Sequence, residues 1–125
     1  MEGKHIINIR NNVDVILMRT EVRNSARKIG MDMMDQASIS LAASSLAHAL
    51  GLGGAQEGQV WIERVAREGR IGLQVICTNK ANSVEIGLTA RALQDAKWMV
   101  DELFVEELSP QMIRVTMVKW MLGSA

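Results

Sequence analysis

Residues Gly58–Ile76 read GQVWIERVAREGRIGLQVI. Within them Gln59–Val65 alternates, with Val60 and Ile62 on one side of a pleat. Gly72–Thr78 (GLQVICT) is rich in apolar and β-branched types, and Arg67, Glu68, Gly69 and Arg70 form a hairpin turn between the two runs. One hairpin buries only one face, so the rest of the chain must supply a second layer.

Upstream, Val13–Ile29 carries Val15, Met18, Val22, Ala26 and Ile29 at spacings of three and four, which predicts a helix. Asn11 and Asn12 offer its N-cap, and Gly30 stops it. A second helix is expected from Met33 or Met34 to Leu50, capped by Asp32. Ala37, Leu41, Ser44 or Ser45, His48 and Leu52 mark one line along it and Ile39, Ala42, Leu46 and Leu50 the other, and Gly51, Gly53 and Gly54 follow it. His5–Arg10 (HIINIR) predicts a first strand.

Downstream, Asn79–Ser83 is expected to be a polar loop and Thr89–Leu103 a third helix, with Leu93, Ala96, Met99 or Val100 and Leu103 on one face. Phe104–Leu108 and Met112–Met121 read as strands around a turn at Ser109 and Pro110. The order β-α-α-β-β-α-β-β predicts an α+β protein: a two-layer α/β sandwich with a mixed, largely antiparallel sheet and helices on one face. One domain is expected over residues 1–125.

Composition narrows the function classes. Hydrophobic residues make up 48% and charged residues 22%, a globular balance that excludes a disordered chain. Fourteen basic residues offset fourteen acidic ones, so no net field favours nucleic acid or a membrane surface. No apolar run is long enough to span a bilayer, and the N-terminal residues lack a signal-peptide core. A single cysteine, Cys77, fits a reducing cytoplasm, and a buried structural thiol is the expectation for it. The two histidines, His5 and His48, have no metal-site spacing with Cys77, so no metal is expected.

Val13–Met31, Asp35–Leu50 (DQASISLAASSLAHAL), Gly58–Ile76, Lys97–Leu103 (KWMVDEL) and Thr116–Leu122 (TMVKWML), in that order, resemble the GHKL ATPase fold in its smallest form. Within it they look like the switch-protein serine kinases and anti-sigma factors of bacterial partner switching, the stressosome kinases above all. The resemblance implies a cytoplasmic protein of stress signalling. In that family the second helix carries a Glu base and, four residues later, an Asn that holds Mg²⁺. The matching positions are Ser45, which is uncharged at neutral pH and a poor base alone, and Ala49, which has no ligand atom for a hard cation. The family's D-x-G-x-G motif binds adenine through its Asp, and its glycines admit the nucleotide. Asn79, Ala81 and Ser83 stand there. Asn79 can still bond adenine, whereas Ala81 and Ser83 disfavour positive φ. About a dozen residues lead from Asn79 to the third helix, with Gly87 the lone glycine, too little for a phosphate-binding lid.

The chemical parts fail together while the scaffold remains, so the resemblance implies a pseudokinase without ATP or Mg²⁺. Its expected partner is a STAS-domain antagonist, a PP2C-type phosphatase or a sigma factor. Two other readings stay open: a divergent ATP-dependent serine/threonine kinase, and a structural subunit that forms a homodimer or larger assembly. Arg19, Arg23 and Arg27 form a basic stripe at four-residue spacing with no acid interleaved at the same helical angle, the expected partner-binding surface. Arg64, Arg67 and Arg70 are expected to be a solvated turn, and Met31, Met33 and Met34 core or rim filler.

Overall fold

The computed structural model describes residues 4–54, 57–79, 90–109 and 112–121. Strand β1 (Lys4–Ile9) leads into α1 (Asn12–Ile29) and α2 (Met33–Ala49). The hairpin β2 (Gly58–Arg67) and β3 (Arg70–Asn79) follows, then α3 (Ala90–Lys97), β4 (Glu102–Ser109) and β5 (Met112–Trp120). The five strands lie in the order β1-β2-β3-β5-β4. Every neighbouring pair is antiparallel, so the sheet is not mixed. The protein is an α+β two-layer sandwich: α1 and α2 pack on the sheet, and α3 packs against α2.

Local chemistry sets the limits of the first two helices. The Asn11 Oδ1 accepts the Asp14 N–H at 3.0 Å, and the Asp14 carboxylate accepts the Arg10 N–H at 2.9 Å. This is a capping box displaced by one residue. Gly30 closes α1 at φ 103°, a backbone state costly for any residue with a Cβ. Its N–H and that of Met31 return to Arg27 and Ala26 carbonyls, which satisfies the helix end. Asp32 then caps α2 by accepting the Asp35 N–H at 2.8 Å.

The core lies between the layers. Val60, Cys77 and Val115 sit side by side across three strands, as do Ile62, Val75 and Met117. Val15, Met18, Val22 and Ala26 of α1 meet them, as do Ile39, Ala42 and Leu46 of α2 and its C-cap residue Leu50. Of the two lines along α2 the second is core throughout, whereas on the first Leu41, Ser45 and His48 are exposed and Ser44 and Leu52 are buried.

The third helix is shorter than its spacing suggests. It stops at Lys97, and Leu103 belongs to β4, opposite Met117. The Asp101 N–H donates to the Val118 carbonyl at 2.9 Å, so the ladder with β5 captures these residues before another helical turn forms.

Arg67 and Arg70 are also not a plain solvated turn. The Trp120 indole lies under both guanidiniums, 4.8 and 4.4 Å from the ring centre. Its Nε1–H donates to Glu102 at 2.9 Å, and Arg67 donates to the other carboxylate oxygen at 2.9 Å. Gly72 leaves room for the ring: a Cβ there would come within 2.5 Å of the Lys119 carbonyl and 2.8 Å of the Trp120 ring.

The bonds from Arg67 and Trp120 hold the Glu102 carboxyl below the usual glutamate range. A depressed folded pKa gives stability that is present above the ordinary glutamate value of about 4.3 and is lost as pH falls through the folded one. Thermal melts of Glu102→Gln should therefore lie below the parent's at pH 7, and the gap should close as pH falls below the ordinary glutamate range and through the lowered folded value. The gap at pH 7 should stay below about 1 kcal/mol, because the pair is part exposed.

Candidate functional site

The positions that would carry nucleotide chemistry fall in different environments. Ser45 is exposed on α2, and Ala49 is half-buried one turn later. Two residues four apart share a helix face, so their side chains define what that face can do. The Ser45 hydroxyl is a poor base at neutral pH, and the Ala49 methyl group has no ligand atom for a hard cation. Asn79 does not lie in a loop. It is the last residue of β3 and is buried, and its Oδ1 accepts the Ile113 N–H at 2.7 Å. The side-chain carbonyl expected to meet adenine thus joins β3 to β5 beyond their last paired residues. Ala81, Ser83 and Gly87, and with them the expected lid loss, lie outside the described residues.

Cys77 is fully buried among the strands, and burial pushes its thiol up to about 12. It stays protonated at neutral pH and is a packing residue rather than a nucleophile. His5 is exposed beside Glu21, with Nδ1 3.8 Å from the carboxylate, and His48 is exposed on α2. Among the described residues no group of three or more His, Cys, Asp or Glu side chains could hold a metal ion. None of the described helices is long and apolar enough to cross a membrane.

The most distinctive surface lies on α1. Arg19, Arg23 and Arg27 are all exposed; Arg19, four residues after Val15 and three before Val22, borders the core side of α1, and the stripe turns away from it toward Arg27. Arg27 donates to the Asn24 side chain at 3.1 Å. Among the described residues Arg19 and Arg23 form no ion pair. The stripe continues toward the helix N-terminus as apolar surface: Val13, Ile16 and Leu17 are 61%, 58% and 54% exposed. Ile16 precedes Arg23 by seven residues, so the two stand above one another on the helix. The basic stripe was legible in the sequence, but its apolar extension was not singled out. Its signal was three aliphatic residues off the line of Val15, Met18 and Val22. Of the linker methionines Met31 is buried, whereas Met33 and Met34 are exposed and fill no core.

The chain is 27% identical to the serine/threonine-protein kinase RsbT of Bacillus subtilis (strain 168), over an alignment that takes in 97% of this chain and 99% of the kinase. Similarity along nearly the full length of both chains supports a relation to that kinase. No family model matches the chain.

Proposed function

We propose that this chain is a cytoplasmic regulatory protein of the partner-switching type that acts by binding other proteins, without transferring phosphate. The observation that carries the reading is the residue chemistry at the nucleotide positions. Ser45 and Ala49 lack the carboxylate and amide that such a kinase uses, and the Asn79 carbonyl is engaged by the Ile113 N–H. The exposed ridge of α1, apolar at Val13, Ile16 and Leu17 and basic from Arg19 to Arg27, suits an acidic protein partner. The candidates are a STAS-domain antagonist, the regulatory region of a PP2C-type phosphatase, and a sigma factor.

Titration calorimetry with ATP and Mg²⁺ tests the loss of nucleotide chemistry. No saturable binding is expected tighter than about 1 mM, the level of roughly −4 kcal/mol. Saturable micromolar binding overturns the reading. One observation favours a second reading, a divergent kinase: the similar protein from Bacillus subtilis is itself named a serine/threonine-protein kinase. That reading requires the micromolar binding together with transfer of radiolabelled phosphate to a serine of a purified STAS-domain protein.

A further inference from the structure

We propose, resting on the partner-binding reading above, that the solvent side of α2 docks one amphipathic helix of the protein partner, apolar along its centre and acidic along one flank. A surface helix ordinarily turns charged residues to water. From Gln36 to Ala49, α2 has no Asp, Glu, Lys or Arg. Ile39, Ala42, Ala43 and Leu46 take its core side. Met34, Ser38, Leu41, Ser45 and His48 take the other, at alternating steps of four and three. That is the heptad spacing of a coiled-coil seam. Among the described residues nothing covers it: Met34 is 76% and Leu41 49% exposed, Ser45 and His48 are exposed, and Ser38 is half-buried.

The seam alternates large and small side chains. Met34, Leu41 and His48 stand seven residues apart as knobs, with Ser38 and Ser45 as the holes between them. A helix laid along it can seat leucine-sized side chains over the two serines, with the axes about 8–10 Å apart. The flexible thioether of Met34 adapts to what it meets. Met34 to His48 spans roughly 21 Å, about four turns.

Charge on α1 sets the flank. Glu21 reaches His5 on β1, with Nδ1 3.8 Å from the carboxylate, so that flank of α1 faces the β1 edge. Arg19 and Arg23 lie on the other flank, toward α2. A helix on the seam therefore runs beside two cations that form no ion pair among the described residues. Acidic residues along that side of the partner helix meet them. A second copy of this chain is a poorer occupant. An antiparallel stack of α2 on its copy keeps the flanks in register, so it lays one arginine flank on the other. A parallel stack sets Leu41 on Leu41 and leaves Ser38 facing Ser38 across a gap.

Fluorescence anisotropy with the full chain and a labelled synthetic peptide tests this. The probe is a helical peptide of about 21 residues with Leu at heptad spacing and Glu along one flank. A control peptide carries Lys in place of Glu. The Glu peptide is expected to bind saturably at about 10–100 µM, and the Lys peptide at least about tenfold more weakly at low salt. Leu41→Glu should weaken the Glu peptide at least about tenfold by placing an acid in the seam, and Ser45→Gln should do so by filling a hole. Both positions are exposed, so melting temperatures should stay near the parent's. Leu41→Gln, a milder change at the same place, should also weaken binding in a folded chain. If neither peptide saturates below about 500 µM, the proposal is overturned. Equal binding of the two peptides overturns it too, as does a Glu peptide that the Leu41 and Ser45 substitutions leave unchanged. A chain that sediments as a dimer, and loses the dimer on Leu41→Glu, gives the seam to a second copy and overturns the partner helix. Capture of a STAS, PP2C or sigma-factor protein that the arginine reversals abolish and Leu41→Glu spares keeps the ridge and removes the seam. ATP-driven phosphate transfer removes the non-catalytic reading and leaves the seam to the peptide result.

Discussion

Reversing Arg19, Arg23 and Arg27 together to Glu is expected to weaken capture of the protein partner by roughly 10- to 100-fold while the domain stays folded. All three side chains are exposed, and none belongs to the buried set of α1, Val15, Met18, Val22 and Ala26. Exposed substitutions usually change stability by less than about 0.5 kcal/mol each. Arg27→Glu adds up to about 1 kcal/mol, because it places an acid against the C-terminal end of the helix dipole and removes the bond to Asn24. The melting temperature should therefore fall by a few degrees only. Binding should fall further, because three reversed charges both lose attraction and add repulsion toward an acidic partner. The loss should be larger at low salt, where exposed charges act over a longer Debye length. The measurement is surface-immobilised binding to purified STAS, PP2C regulatory and sigma-factor proteins at two salt concentrations. A ridge that is only a solvated helix face gives unchanged binding to whichever of them the parent captures.

Replacing Asn79 by Ala should destabilise the fold by about 1–3 kcal/mol in urea unfolding. Asn79 is buried at the end of β3, and its Oδ1 accepts the Ile113 N–H at 2.7 Å. Truncation leaves that N–H without its partner in a site where water replaces it poorly, and the cost is the desolvation of the group rather than the net value of one bond. An asparagine kept only to bond adenine would behave differently. Its loss would leave the urea midpoint in place and change nucleotide titrations alone. The urea midpoint thus separates a structural Asn79 from a binding one. The unfolding slope should not change, because the surface exposed on unfolding is nearly the same.

The lengths of α1 and α2 could be read from the sequence because their boundaries are local. Asn11, Gly30 and Asp32 act on backbone groups within a few residues of themselves, so nothing distant competes with them. The β2–β3 hairpin was legible for the same reason. Its turn, Glu68 at φ 54° and Gly69 at φ 80°, has the left-handed geometry of a two-residue connection, and the alternation on each side sets the register.

What the tertiary structure decided are contacts between residues far apart in the chain. Leu93, Ala96 and Leu103 have helical spacing, but the ladder between β4 and β5 claims Leu103, since strand pairing joins residues that local propensity does not see. Asn79 has a polar loop's composition, yet Ile113 fixes it from another strand. Arg67 and Arg70 look like an ordinary charged turn until Trp120 packs beneath them. On α1 the spacing marked the core side, but whether Val13, Ile16 and Leu17 would be covered depended on what packed against the helix. The sheet and α2 occupy only the side of Val15, Met18 and Val22, which leaves those three residues exposed next to the arginines. Periodicity marks the side that a helix buries, and only the assembled layers set how wide that buried side becomes.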